Sequence, residues 1–411
     1  MILSHRSTLD PTVKQREQLA RACGVARFAY NWALAEWKRQ YEAGEKPTAY
    51  KLDALFNSIK RAQFPFVCEV ASRASQNAIL DLGTAFSNFF RRVKNGEKPG
   101  YPRFKKRGVH DAFLINNQDF RFIGKKVKLP KLGLVKCHEE LRFNGKIMSA
   151  TISREADRWF ISVAVDLGSV EATLRLEGSK VGVDLGLITF ATAFDGSVVE
   201  KIAAPKPLKA SLRKLQRLSR VRSRRFCKTV KQQSKRYYKA KLRVAKQHVR
   251  IKNIRSDFLH KLTTRLARTT KTIVIEDLNV KGMLSNHCLA RSIADVSFYE
   301  FRRQLTYKAK LYGSDLVVAD RWFPSTKRCS HCGTVRDSIS LDERVFHCSS
   351  CGFSICRDEN AARNLRTVSS TGIYARRQEG SDDGSNVIVK PCLVEARTTP
   401  RMLKVTLAGT K

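Results

Sequence analysis

Three carboxylates stand where their surroundings favour the binding of a cation. Asp184 lies in "VGVDLG", where strand alternation sets Val181 and Val183 on one face and Asp184 on the other. Glu276 closes the apolar run "TIVIE", and Asp358 opens a helix in "DENAARNL". A carboxylate at the end of a buried strand costs free energy unless something cationic meets it. Such carboxylates hold Mg²⁺, and two ions about 3.5–4 Å apart activate a water and stabilise the leaving oxygen of a phosphodiester. Each residue also has a plainer reading. Asp184 fits a turn, Glu276 a solvated strand end, and Asp358 an N-terminal helix acid favoured by the dipole. Separations of 92 and 82 residues do not by themselves make one site.

Four thiols carry a second chemistry. Cys329 and Cys332, then Cys348 and Cys351, form two CxxC pairs fifteen residues apart in "CSHCGTVRDSISLDERVFHCSSCG". That spacing predicts a structural Zn²⁺ site, because the ion is tetrahedral, favours thiolate, and is within reach of both sulfurs of a CxxC loop. Gly333 and Gly352, one after each pair, permit the tight turn a zinc knuckle requires.

Charge narrows the partner. The 411 residues carry 78 Lys and Arg against 37 Asp and Glu, a net charge of +41. So large an excess implies a polyanion. No stretch approaches the ~20 apolar residues of a membrane span, and "MILSHRSTLDPTVKQ" has no signal-like apolar core, which leaves nucleic acid as the expected partner and no membrane. Eleven cysteines, four of them assigned to zinc, predict a reducing cytoplasm; in a prokaryote, a chain this basic is expected with the nucleoid. From Lys201 to Ser256 there is no acidic residue and 21 positions are Lys or Arg. A solvated helix face would mix signs to gain i,i+4 pairs, so phosphate contact is the better account of this run.

The elements that must position these groups fall into two halves. The first ten residues read as a strand, residues 11–95 as helices with three-to-four apolar spacing, and residues 96–170 as short alternating strands. This predicts a β-barrel built from about 1–10 and 96–170 with an inserted helical segment. Residues 171–178 read as a linker, and strands then alternate with helices over 179–366, an α/β pattern with the ribbon at about 327–353. Ile251, Ile254, Phe258, Leu262 and Leu266 form an apolar stripe on the last basic helix. Residues 367–411 are rich in Ser, Gly and charge and read as a disordered tail.

Ordered strings along the chain resemble the TnpB family, transposon-encoded proteins related to the compact effectors of type V CRISPR systems. They are "GVARFAYNWAL", "YPRFK", "VGVDLGL", "IVIEDLNV", "RWFPSTKRCSHCG", "FHCSSCG" and "RDENAARNL", reaching to about residue 366. The resemblance implies an α/β plus β-barrel protein: a barrel with inserted recognition helices, then a RuvC-like nuclease domain of RNase H fold interrupted by a zinc ribbon. It implies RNA-guided DNA cleavage, with Asp184, Glu276 and Asp358 holding two catalytic Mg²⁺ and zinc purely structural. The guide RNA would derive from the transposon end, and the protein would read a short motif beside the target in double-stranded DNA.

Further expectations concern contacts. Arg27 or Asn31 would touch the adjacent motif, while Tyr30 and Trp32 beside them belong to the core. Arg213, Lys214, Arg217, Arg224, Arg225, Lys235 and Arg236 would line a channel for RNA or heteroduplex. Tyr237 and Tyr238 would either stack on bases or pack within the helices. Two positions depart from the family pattern: Cys356 replaces a common acidic residue, and Thr326 replaces a common Ser after Pro324 and Ser325. The competing functions are an unguided transposase, a guided repressor that does not cut, and a ribbon protein without enzymatic role. Sequence leaves the oligomeric state open.

Overall fold

A computed structural model describes residues 1–168, 179–230, 232–340 and 342–368. The expected linker at 171–178 and nearly all of the expected tail at 367–411 lie outside the described residues. The chain divides into two compact units, and residues 1–168 and 179–368 fall on either side of the division.

In the first unit, β1 (Ile2–Asp10) is followed by α1 (Val13–Glu42), α2 (Ala49–Gln63) and α3 (Ser72–Lys94). The strands β2 (Ala112–Asn116), β3 (Arg121–Ile123), β4 (Lys126–Leu129), β5 (Gly133–Cys137), β6 (Lys146–Glu155) and β7 (Arg158–Asp166) come after them. Their order in one antiparallel sheet is β2-β6-β7-β1-β5-β4-β3. The first strand is therefore internal, paired with β7 along Ile2–Leu9 and with β5 at Leu9 and Asp10. Thr12 starts α1 with a capping box: its hydroxyl accepts from the Gln15 N–H, and the Gln15 side chain accepts from the Thr12 N–H. Leu19, Ala22, Cys23, Ala26, Ala29, Ala33, Leu34 and Trp37 then recur at helical spacing and are buried. Trp37 stacks on Phe86 of α3 with centroids 4.2 Å apart. One core joins these helices to the inner face of the sheet. Among the described residues no pairing joins β2 to β3, the two ends of this sheet.

The second unit is built on a five-stranded mixed sheet. Its strands are β8 (Lys180–Leu185), β9 (Thr189–Phe194), β10 (Val199–Ala203), β11 (Thr272–Glu276) and β12 (Asp315–Ala319), in the order β10-β9-β8-β11-β12. The first three form an antiparallel meander, whereas β8, β11 and β12 run parallel. Between β10 and β11 come the basic helices α4 (Pro207–Arg224) and α5 (Lys235–Thr269). Helices α6 (Val280–Ser285), α7 (Ala290–Val296) and α8 (Phe298–Tyr312) precede β12, and a small hairpin, β13 (Val345–His347) and β14 (Ser354–Cys356), leads into α9 (Arg357–Thr367).

Each face of that sheet has its own cover. Val181 and Val183 of β8 and Ile273 and Ile275 of β11 pack with Leu259, Leu262 and Leu266 of α5 and Phe301 and Leu305 of α8. Val274 and Ala319 face the other way, against Leu365 of α9. The predicted apolar stripe of α5 follows this division: Ile251, Leu262 and Leu266 are buried, whereas Ile254 is 40% exposed. No helix among the described residues is long and apolar enough to cross a membrane.

Candidate active site and metal centre

Parallel pairing decides which carboxylates meet. Ile273 of β11 lies beside Val181 of β8, and Ile275 beside Val183, so the register carries Glu276 to the side of Asp184. Both point to the face covered by α9, because each follows by one residue a side chain buried under α5 and α8. Neighbouring strands lie about 4.8 Å apart, which puts the two carboxylates at the carboxyl ends of adjacent strands.

Helix α9 brings the third. Asp358 and Glu359 sit in its first turn, where the helix dipole favours negative charge. The helix reaches β8 at Gly182, where an added Cβ would stand 2.1 Å from the Ala362 carbonyl oxygen and 2.5 Å from the Arg366 nitrogen. Only glycine fits there. Ala361 and Ala362 are fully buried, and the Arg366 Nε donates to the carbonyls of Lys180 (3.1 Å) and Asp195 (3.0 Å), tying the far end of α9 to the sheet.

The electrostatics follow from this crowding. Asp184 is 8% exposed, and its carboxyl is pushed well above the usual range by burial first, then by the charges of Glu276 and Asp358. Arg357 pulls it the other way, and lies 3.8 Å from Asp358. Burial also raises Glu276, partly offset by the hydroxyl of Ser325, which donates to its Oε1. Carboxylates held close and desolvated fit a divalent cation, which would relieve both penalties at once.

Ser325 is itself held by α9. Asn364 Nδ2 donates to the Ser325 carbonyl (2.8 Å) and the Arg328 carbonyl (2.6 Å). One turn earlier, Asn360 Nδ2 donates to the Arg328 carbonyl (2.7 Å) and its Oδ1 accepts from the Ser330 N–H (2.9 Å). Both asparagines are buried, so they stitch the loop entering the cysteine cluster to the helix that carries Asp358. Sequence reading missed Gly182, Asn360 and Asn364 as positioning residues. An isolated glycine inside a buried strand, and two asparagines four apart in a helix, were the available signals.

The four thiols gather into one cluster. Their sulfurs lie within 4.8 Å of one another, with Cys332–Cys348 at 3.5 Å and Cys329–Cys351 at 3.8 Å. Zn–S bonds of about 2.3 Å in a tetrahedron require S···S edges of about 3.8 Å, so the cluster has the size of the ion. Gly333 (φ 81°) and Gly352 (φ 72°) close the two knuckles, each N–H donating 3.0 Å to the carbonyl of the first cysteine of its pair. Thr334 holds the Cys332 thiol down at about 6. Cys351 accepts a Phe353 backbone hydrogen bond that favours its thiolate, yet burial and the neighbouring sulfurs push it up to about 12. A dication in the middle removes that conflict. Among the described residues the three carboxylates are not gathered as closely as these thiols.

The remaining sequence candidates have mixed fates. The Asn31 amide is held by the backbone of Lys105: its Nδ2 donates to the Lys105 carbonyl (3.0 Å) and its Oδ1 accepts from the Lys105 N–H (2.7 Å). Arg27 lies 3.7 Å from Asp111. Tyr30 is buried, and Trp32 packs on Phe56 with centroids 4.8 Å apart. Arg213, Lys214, Arg217, Arg224, Arg225, Lys235 and Arg236 are all exposed on the α4–α5 pair. Tyr237 is half-buried between Phe226 and Tyr238, and Tyr238 is exposed. Asp295, buried on α7, anchors the base of this pair by accepting from the N–H groups of Leu208 and Lys209 (3.0 Å each) and from Arg255 (3.1 Å). Cys356 closes β14 with its sulfur 3.7 Å from Lys201 Nζ.

Comparisons with known proteins agree along the chain. Residues 162–287 match a family described as "Probable transposase", 298–365 a "Cas12f1-like, TNB domain", and 1–46 a "Helix-turn-helix domain". The last stretch folds here as β1 and α1. A Streptomyces pristinaespiralis protein named "Putative RNA-guided DNA endonuclease" is 35% identical over 394 residues, covering 93% of this chain and 94% of that one. "Putative RNA-guided DNA endonuclease InsQ" of Escherichia coli K12 is 32% identical over 380 residues, covering 87% and 90%. "TnpB-like protein L79" of Acanthamoeba polyphaga mimivirus is 30% identical over 207 residues, covering 48% and 38%. The chain belongs to the TnpB family of transposon-associated proteins.

Proposed function

We propose that this protein is an RNA-guided DNA endonuclease of a transposable element, hydrolysing target phosphodiesters at Asp184, Glu276 and Asp358. The observation that carries the reading is the placement of two carboxylates on adjacent parallel strands beneath the helix that bears the third. The strand order β10-β9-β8-β11-β12, with an antiparallel meander joined to parallel strands, supports an RNase H-like, RuvC-type layout for the second unit. In the first unit the sheet carrying β1 at its interior supports a barrel-type scaffold, with α1–α3 as the inserted recognition segment.

The two kinds of ion have separate duties. The four thiols would hold a structural Zn²⁺, and the carboxylates would hold Mg²⁺, which supplies a lowered water pKa and charge neutralisation at the phosphate. What the chain itself does is orientation. Ser325 fixes the Glu276 carboxylate by donating to it, Asn360 and Asn364 fix Ser325 and the ribbon base to α9, and Gly182 lets α9 approach. The exposed cations of α4 and α5 would bind the backbone of RNA or heteroduplex, while base pairing supplies sequence choice. The retention of all three acidic residues favours cleavage over a guided repressor.

Sequencing RNA that co-purifies with the tagged protein from its native host tests this. A discrete species with a constant scaffold and a short variable end is the expected result. Random cellular fragments on a well-folded preparation would point instead to an unguided transposase or a general nucleic-acid binder.

A further inference from the structure

Trp322 is 85% exposed, more than any other large apolar side chain among the described residues. The other three tryptophans behave as core: Trp37 and Trp159 are buried, and Trp32 packs against the core of the first unit. A single exposed apolar residue is ordinary and implies nothing. What sets Trp322 apart is where it is held.

The turn that carries it is pinned on both sides to the end of β11. On one side Arg321 Nη2 donates to Asp277 Oδ2 at 2.8 Å, and Asp277 follows Glu276 directly; Arg302 binds the same carboxylate. On the other, Ser325 donates to Glu276 itself. Asp320 closes the turn, accepting from the Trp322 N–H (2.8 Å) on its side chain and from the Phe323 N–H (3.0 Å) on its carbonyl. Phe323 packs inward with Val274, Ala319 and Leu365. The indole is thus left in solvent on a fixed support. Two residues, Phe323 and Pro324, lie between it and Ser325, so their backbones are at most about 11 Å apart. Stacked nucleotides repeat about every 3.4 Å, so that backbone span corresponds to about three nucleotides of a strand.

We propose that Trp322 is a stacking platform for an unpaired base of the DNA strand being cut, next to the scissile phosphate. This rests on the endonuclease reading above. Every base has a π-face, so stacking holds a strand without selecting its sequence. That is the contact a guided enzyme can use at its cut site, where base pairing elsewhere has already chosen the target.

The test uses the full-length protein loaded with its own co-purified guide RNA and a matched duplex target. Trp322→Ala should lower single-turnover cleavage or target affinity by about 5- to 150-fold, the loss of one base–aromatic stack. Trp322→Phe keeps a ring and should restore most of that loss, with the melting midpoint unchanged in both variants. In Ca²⁺, 2-aminopurine placed in the target strand beside the cut should be quenched by wild type and Trp322→Phe but not by Trp322→Ala. Wild-type behaviour of Trp322→Ala, equal losses in both variants, or quenching confined to 2-aminopurine in the guide RNA overturns the proposal. A wild-type complex that leaves matched DNA uncut overturns the endonuclease reading itself, and the stacking role with it.

Discussion

Adding one methyl group at Gly182 should separate assembly of the carboxylates from binding of the guide RNA. An alanine Cβ there would stand 2.1 Å from the Ala362 carbonyl oxygen, and contacts under 3.0 Å do not persist, so α9 must retreat by about 0.9 Å. The obstacle is backbone on α9, which has no flexible side chain to move aside. The retreat carries Asp358 away from Asp184 while leaving α5, on the opposite face, and α4, which packs against α5, where they are. A misplacement of about 1 Å at reacting groups costs on the order of 10²-fold in rate. Overpacking of this kind costs about 1–3 kcal/mol of stability. The assay is single-turnover cleavage of a matched plasmid by the guide-loaded protein in Mg²⁺, with RNA binding and melting midpoint measured in parallel. Gly182→Ala should cut about 10²-fold more slowly and bind guide RNA as wild type does. Cleavage within a factor of about three of wild type, at unchanged stability, would refute the idea that the approach of α9 to β8 assembles the site.

Other expectations follow from the same geometry. Asn364→Ala removes the hydrogen bond to the Ser325 carbonyl and one of the two side-chain amides on the Arg328 carbonyl, which keeps Asn360, so it should cost about 1–3 kcal/mol and slow cleavage more than target binding. Equal effects on rate and affinity would argue against a positioning role. Cys329→Ser, or strong chelation, should unfold the ribbon and lower soluble yield, because metal binding there is coupled to folding; a stable, fully active variant would contradict this. Asp184 has a folded-state pKa raised above its unfolded value, so without metal the folded chain holds the proton longer and stability falls as pH rises through the raised value. Asp184→Asn should therefore raise the metal-free melting midpoint at pH 8 and not at pH 3, and a gain equal at both would sink the assignment. Binding of RNA should weaken steeply with salt, in keeping with 21 cations and no acids from Lys201 to Ser256; a flat salt response would remove that run from the interface.

Much of this was legible in the residues. Strict alternation in "VGVDLG" put Asp184 opposite Val181 and Val183, and the two valines do lie in the core under α5 and α8. The paired CxxC spacing told of a single cluster because short loops leave the sulfurs few other arrangements. The adjacency of Asp184 and Glu276 was not legible, since it depends on parallel pairing across the whole α4–α5 excursion, and no local pattern encodes such a register. Asn31, named with Arg27 for a nucleic-acid contact, shows another thing sequence does not encode: its amide donates to and accepts from the backbone of Lys105, 74 residues away. Asn360 and Asn364 were hidden for the same reason, because their partners lie in a loop that only the ribbon brings back to α9.

The most direct test of the whole account is cleavage of a matched DNA target by the guide-loaded protein, wild type against Asp184→Ala, in Mg²⁺. Wild type should cut only DNA that pairs with the guide, and Asp184→Ala should bind RNA and target normally while leaving the DNA intact. Cutting by Asp184→Ala at the wild-type rate would contradict the site built here from β8, β11 and α9.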